Sequence, residues 1–154
     1  MDSESILVVP CRPGQGKGDE MKYFDSLVEA NLYSINVDPT QKEVRIELAY
    51  AGSNARLVLF ATSVDDFVAD EMRISNVIDR VRVFGAGDAG DPDTADCLFL
   101  LMRGRFPNAG ELEWSALQDR LAAIHRGALT LLEIEPVYGA KILLLAGEIK
   151  LQPA

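Results

Sequence analysis

The sequence predicts an α+β protein built on a mainly antiparallel β-sheet, with one amphipathic helix near residues 109–126 and a two-sheet sandwich as the alternative. Three observations predict it. Val44, Ile46, Leu48 and Tyr50 are apolar at every second position with Arg45 and Glu47 between them, and similar runs recur down the chain. That period puts one face in a core and the other in water. The turns between successive runs are mostly short, which antiparallel pairing permits, whereas parallel pairing needs a crossover of about a dozen residues. One stretch instead has helical spacing, with Trp114, Leu117, Leu121 and Ile124 on one face.

Taken in order, residues 5–9 read as a short apolar strand closed by Pro10, and the Gly-rich residues 12–20 as a loop. Residues 25–30 suit a turn of helix or a strand entry. Tyr33, Ile35 and Val37 then alternate with Ser34 and Asn36. Asp38-Pro39-Thr40-Gln41-Lys42 ends that strand, because proline cannot join a ladder and aspartate favours turns. Residues 43–50 return as the second strand of a hairpin. After a turn at 51–54, Leu57, Val58, Leu59 and Phe60 are apolar on both faces, which suits a central strand covered on both sides.

Residues 63–72 suit a short helix capped by Thr62 or Ser63, with acids in its first turn. Residues 77–84 return to strand, with Val81 and Val83 alternating with Arg80 and Arg82. Residues 85–95 form a Gly and Asp loop, and the length of the apolar run at 96–103 favours a strand. Asn108 can cap the helix at 109–126, with Glu111 three residues on. Gly127 can close it in the left-handed conformation, after His125 and Arg126 in the last turn. Leu132 and Ile134 alternate with Glu133 and Glu135, and the turn at 136–139 leads into a last strand over 140–151. No repeat or linker divides the chain, so residues 1–154 read as a single domain.

Composition narrows the function classes. The formal net charge of -9 disfavours nucleic acid and anionic membrane as direct partners and suits a basic protein. No apolar run approaches the ~20 residues of a membrane helix, and the start Met1-Asp2-Ser3-Glu4 lacks the basic residues of a signal peptide. Cys11 and Cys97 show no pairing pattern and read as free thiols of a reducing cytoplasm. Cytoplasmic localisation is therefore expected.

Chemistry-bearing motifs are incomplete. Gly85-Ala86-Gly87-Asp88-Ala89-Gly90 spells the dinucleotide fingerprint G-x-G-x-x-G after a strand. Yet Asp88, Asp91 and Asp93 would repel a pyrophosphate, and Pro92 removes one donor. The same aspartates with Asp96 match no calcium loop. Pro13-Gly14-Gln15-Gly16-Lys17-Gly18 lacks the first glycine and the hydroxyl of a phosphate loop. His125 has no neighbouring nucleophile and suits a helix end, and no ligand pair lies at metal-chelating spacing. No cofactor and no metal are expected. Asp65, Asp66, Asp70 and Glu71 gather four acids within seven residues, beside Phe67 and Met72. They can form a solvated face, or an acidic patch that meets Lys and Arg on a partner.

The segments Asn31 through Asp38, Val44 to Leu48, Arg56-Leu57-Val58-Leu59-Phe60 and Asn76-Val77-Ile78 resemble a group of small β-rich bacterial proteins. Gly127-Ala128-Leu129, Ile134-Glu135-Pro136 and Tyr138-Gly139-Ala140 resemble the same group. Several of that group are taken to be immunity proteins of polymorphic toxin systems. The likeness rests on strand patterning and a few turn residues over about two-thirds of the chain, and Asn31 stands where a histidine would be expected. The resemblance implies a binder and not an enzyme, so no catalytic residue is carried over.

The expectation is a non-enzymatic cytosolic binding protein, an immunity-type inhibitor of a basic toxin. It would bind through Asp65, Asp66, Asp70 and Glu71, then Asp88, Asp91 and Asp93. Two alternatives are a nucleotide-binding protein or enzyme built on the glycine loop 85–90, and a structural subunit that self-associates through an uncovered sheet edge.

Overall fold

Among the described residues the sheet has seven strands, every neighbouring pair antiparallel. A computed structural model describes residues 7–9 and 24–154. The strands are β1 (Leu7–Val9), β2 (Asn31–Asp38), β3 (Glu43–Ala49), β4 (Arg56–Asp70), β5 (Val77–Phe84), β6 (Thr130–Tyr138) and β7 (Lys141–Pro153). Two helices, α1 (Pro92–Arg103) and α2 (Ser115–His125), lie between β5 and β6. The expected loop at 12–20, the Gly-Lys segment 13–18 and Cys11 fall outside the described residues.

The strand order is β1-β7-β4-β3-β2-β5-β6, and β6 also pairs with β7. Six strands therefore close into a ring, and β1 adds to the far end of β7. Closure, and not a second stacked sheet, is how this sheet covers its apolar face. The narrowest joint is between β2 and β5, one register pair (Asn31 with Val77) flanked by the bonds Leu32 N–H to Asn76 O and Ile78 N–H to Ala30 O, both 2.9 Å.

Two cores follow from the two faces of the wall. The inner core packs Val44, Ile46, Leu48, Leu59, Leu132, Ile134, Ile142 and Leu144 inside the ring. Their neighbours in sequence face outward, and Leu131, Leu143 and Leu145 meet Cys97, Leu98, Phe99, Leu117 and Ile124 of the helices. A strand whose two faces are both covered should be apolar at successive positions, as β7 is from Ile142 to Ala146.

The hairpin of β2 and β3 turns where expected, and Asp38 Oδ1 accepts the N–H groups of Thr40 and Gln41 at 3.0 Å. β4 sits between β3 and β7, covered on both faces at Val58, Leu59 and Ala61. Tyr33 departs from the expected alternation. A bulge between Leu32 and Ser34 turns its ring outward, where the Arg56 guanidinium stacks 4.0 Å from its centre.

Three expected elements are corrected. Residues 63–70 are strand, not helix: β4 continues to Asp70 because Val64 and Asp66–Asp70 find backbone partners on β7. Residues 96–103 are helix, not strand. Asp91 caps α1 by accepting Asp93 N–H at 2.9 Å, Pro92 opens it, and Gly104 closes it at φ +76. A second helix is thereby added to the one expected. The expected helix at 109–126 begins later: residues 111–113 form a 3-10 turn, Trp114 breaks it in an extended conformation, and α2 starts at Ser115. Glu111 still accepts the Asn108 N–H at 2.8 Å, and Gly127 ends α2 at φ +79 as expected.

Candidate functional site

The cross-strand register builds one ionic cluster that the sequence did not point to. β5 and β6 place Arg82 opposite Glu133 and Arg80 opposite Glu135. Glu133 also pairs with Leu143 on β7, so it stands in the middle of the outer wall, where α1 covers it. Its side chain is 1% exposed. Four donors surround it. Arg82 Nε donates to Oε1 at 2.7 Å and Nη2 lies 2.7 Å from the same oxygen. The Cys97 thiol donates to Oε2 at 3.1 Å, and Lys141 Nζ lies 3.7 Å away. Arg82 reaches on to Asp93 Oδ2 at 3.2 Å and Cys97 Sγ at 3.4 Å.

Burial alone would push the Glu133 carboxyl up. The Arg82 guanidinium, the Cys97 thiol and Lys141 together outweigh burial and hold it below the usual carboxylate range. Burial, reinforced by the carboxylate it donates to, pushes the Cys97 thiol up to about 12. A thiol that stays protonated at neutral pH is a poor nucleophile. The cluster neutralises itself and ties α1 to β5, β6 and β7, which is a structural task.

One prediction follows from the sign of the Glu133 shift. A carboxyl held below its unfolded value contributes stability above that value, and the contribution is lost as pH falls through the folded one. Stability should therefore decline with acid from about pH 4.3, the ordinary glutamate value. Urea titrations at stepped pH should show a shallower acid limb for Glu133→Gln than for the parent. Equal slopes would mean that Glu133 titrates alike in both states.

The expected interaction residues fall into two sets. In the loop before α1 and the first turn of that helix, all three aspartates have internal roles. Asp88 accepts Gly85 N–H at 2.9 Å, Asp91 caps the helix, and Asp93 holds Arg82. These contacts also occupy the glycine loop. Gly85 N–H is taken by the Asp88 carboxylate and the Asp88 and Asp91 N–H groups by backbone carbonyls, and the strands on either side, β5 and β6, pair antiparallel and form no parallel crossover unit. On β4, Asp65 pairs with Arg120 at 2.8 Å, and Asp66 Oδ1 accepts Phe67 N–H at 2.9 Å. Asp70 and Glu71 are exposed and have no ion-pair partner among the described residues.

Beside that pair lies an apolar rim. Met72 is exposed, Ile74 fully so, and Val137 and Tyr138 at the end of β6 are more than half exposed. Arg73 joins the two segments by stacking 5.2 Å from the Tyr138 ring centre. Phe67, weighed with Met72 as an anchor, is half-buried against the inner core. Trp114 packs edge-on to Phe99 at 6.2 Å between ring centres. His125 is exposed at the end of α2. No group of three His, Cys, Asp or Glu side chains among the described residues is placed to hold a metal ion. No described helix is long and apolar enough to cross a membrane.

Fold and site together define an α+β protein with a ring of antiparallel strands, a charge cluster around the buried Glu133 and an exposed apolar rim bordered by acids. No family model, no curated protein and no solved structure matches the chain.

Proposed function

We propose that this is a non-enzymatic binding protein that engages a basic protein partner through the rim beginning at Asp70 and Glu71, and that it acts as an immunity-type inhibitor of a toxin. The observation that carries the reading is the juxtaposition there. Two exposed acids that pair with no base among the described residues stand next to Met72 and Ile74, with Val137 and Tyr138 across Arg73. An apolar centre with a charged border is the anatomy of a protein interface, and its acids would speed the approach of a basic partner. The net charge of -9 adds to that attraction.

The test is capture of the partner from the native cell, followed by association kinetics with the purified pair. Asp70→Lys combined with Glu71→Lys should slow association by about tenfold at low salt and flatten its salt dependence. Ile74→Asp should instead raise the dissociation rate. Unchanged rates in both variants would remove the rim from the account. A stoichiometric partner that is itself acidic would remove the charge argument.

A further inference from the structure

The ring of strands has a gap in its wall, and its outline can be traced through the hydrogen bonds. β2 pairs with β3 along one edge, but along the other it meets β5 only at Asn31. β4 pairs with β3 only as far as Ala61, although it runs on beside β7 to Asp70. Two bonds tie the loose edges together at their ends: Leu32 N–H to Asn76 O, and Val64 N–H to Lys42 O, each 2.9 Å. Between those ties, β2 and residues 64–76 run antiparallel on opposite sides of an opening, and no described strand pairs across it.

The edges look like strands that lack a neighbour. In an antiparallel strand every second residue points its N–H and C=O away from its one partner, and those groups need another acceptor or donor. At Phe67 the adjacent Asp66 carboxylate supplies one, accepting the N–H at 2.9 Å. Apolar side chains on the two sides do not cover each other. Val37 is 49% exposed and Ile74 104%, while Ile35 and Phe67 pack against the inner core and are themselves only partly buried. The outline carries Asp38, Asp65, Asp66, Asp70 and Glu71 against Lys42 and Arg73, and among the described residues only Asp65 of those acids pairs with a base.

We propose that this opening receives an extended basic segment of the partner polypeptide as an added strand, alternate apolar residues facing inward to Ile35 and Phe67. The proposal rests on the binding role argued above and specifies its mode. Main-chain bonds to an exposed edge supply affinity in such recognition, and alternate side chains supply specificity. The open edge of β2 spans about 20 Å at the usual rise per strand residue, enough for roughly six residues.

The probe is a fluorescein-tagged eight-residue peptide of alternating Val and Lys, measured by anisotropy and by amide shifts in the full-length protein. Saturable binding is expected, with shifts at 33–38 and 65–70, and at least tenfold weaker binding for the Val/Glu counterpart. N-methylation of either alternate set of peptide amides should also weaken binding at least tenfold, because an inserted strand uses both its edges. Binding that survives both methylated forms would overturn strand addition and leave the acidic-surface reading standing. Binding through the same amides that ignores salt and Asp70→Lys/Glu71→Lys would do the reverse. No saturation at millimolar peptide, or a concentration-dependent dimer that protects these amides by itself, would overturn the proposal.

Discussion

Replacing Arg82 by Met should cost about 3 kcal/mol, the range seen when one member of a buried ion pair is removed. The loss comes from what stays behind. Glu133 cannot move to water, because β7 and α1 enclose it and its side chain is 1% exposed. Lys141 at 3.7 Å and the thiol at 3.1 Å would then be its remaining donors. For a chain of 154 residues the change corresponds to a fall in Tm of roughly 6–12 °C. The double variant Arg82→Met/Glu133→Leu should recover about 2 kcal/mol of it, since apolar groups of similar volume replace a buried pair at little cost. Lys141 and Asp93 can both rehydrate in that variant, being 30% and 61% exposed. Chemical denaturation of the three proteins measures each quantity. A loss below about 1 kcal/mol in Arg82→Met would show that Lys141 and Cys97 suffice to hold the carboxylate.

Strands with one covered face were legible by their period, and the run Leu57–Phe60 by being apolar on both faces. Val44, Ile46 and Leu48 point into the ring and Arg45 and Glu47 point away, so the period survives intact. α1 was hidden by its own burial. Its residues Thr94, Cys97, Leu98 and Leu101 are buried at helical spacing, but Phe99, also buried, fills the gap and makes the run look continuous. Asp91-Pro92 at one end and Gly104 at the other were the available signals. The far half of β4 misled for a different reason. Thr62 or Ser63 as a cap with Asp65 and Asp66 in the first turn suits a helix, yet the ladder with β7 wins, accommodated by a bulge between Val64 and Asp66 and by Ser63 at φ +51.

The candidate sites were legible only in part. Asp70 and Glu71 could be read as exposed acids. That Asp91 would cap a helix and Asp93 hold Arg82 depends on α1, and α1 had been missed, whereas Asp88 turns back to Gly85 within the loop. The cluster at Glu133 was present as two alternations, Arg80 with Arg82 and Glu133 with Glu135. Their meeting depends on the register of strands 51 residues apart, where a one-residue slip would send every side chain to the other face. Ring closure was invisible for the same reason, since it depends on the pairing of β6 with β7 and of β2 with β5 and not on any local period.

Gly139→Ala should be as damaging as the loss of Arg82, at about 3 kcal/mol. Gly139 turns the chain from β6 into β7 at φ +94, a conformation that costs an L side chain roughly 1–3 kcal/mol. A methyl there would also stand 2.8 Å from Ser75 O and 2.9 Å from Asn76 Cα, and closer still to Asn76 Oδ1. Asn76 has little freedom to retreat. It is 4% exposed, its Oδ1 accepts Ala140 N–H at 2.9 Å and Arg73 N–H at 3.1 Å, and its Nδ2 donates to Arg73 O at 2.7 Å. Its carbonyl also accepts Leu32 N–H, one of the bonds that join β2 to β5. Strain at this turn is thus passed to the weakest joint of the ring. Adding Asn76→Ala removes one of the three clashes but not the two with backbone, and it leaves Ala140 N–H unpaired, so it should not rescue the variant. Gly90→Ala is the control. A methyl there meets nothing within 4 Å, so the change should stay within about 0.5 kcal/mol of the parent. Thermal unfolding ranks the three, and a Gly139→Ala protein that melts with the Gly90→Ala control would show that the turn gives way without disturbing Asn76.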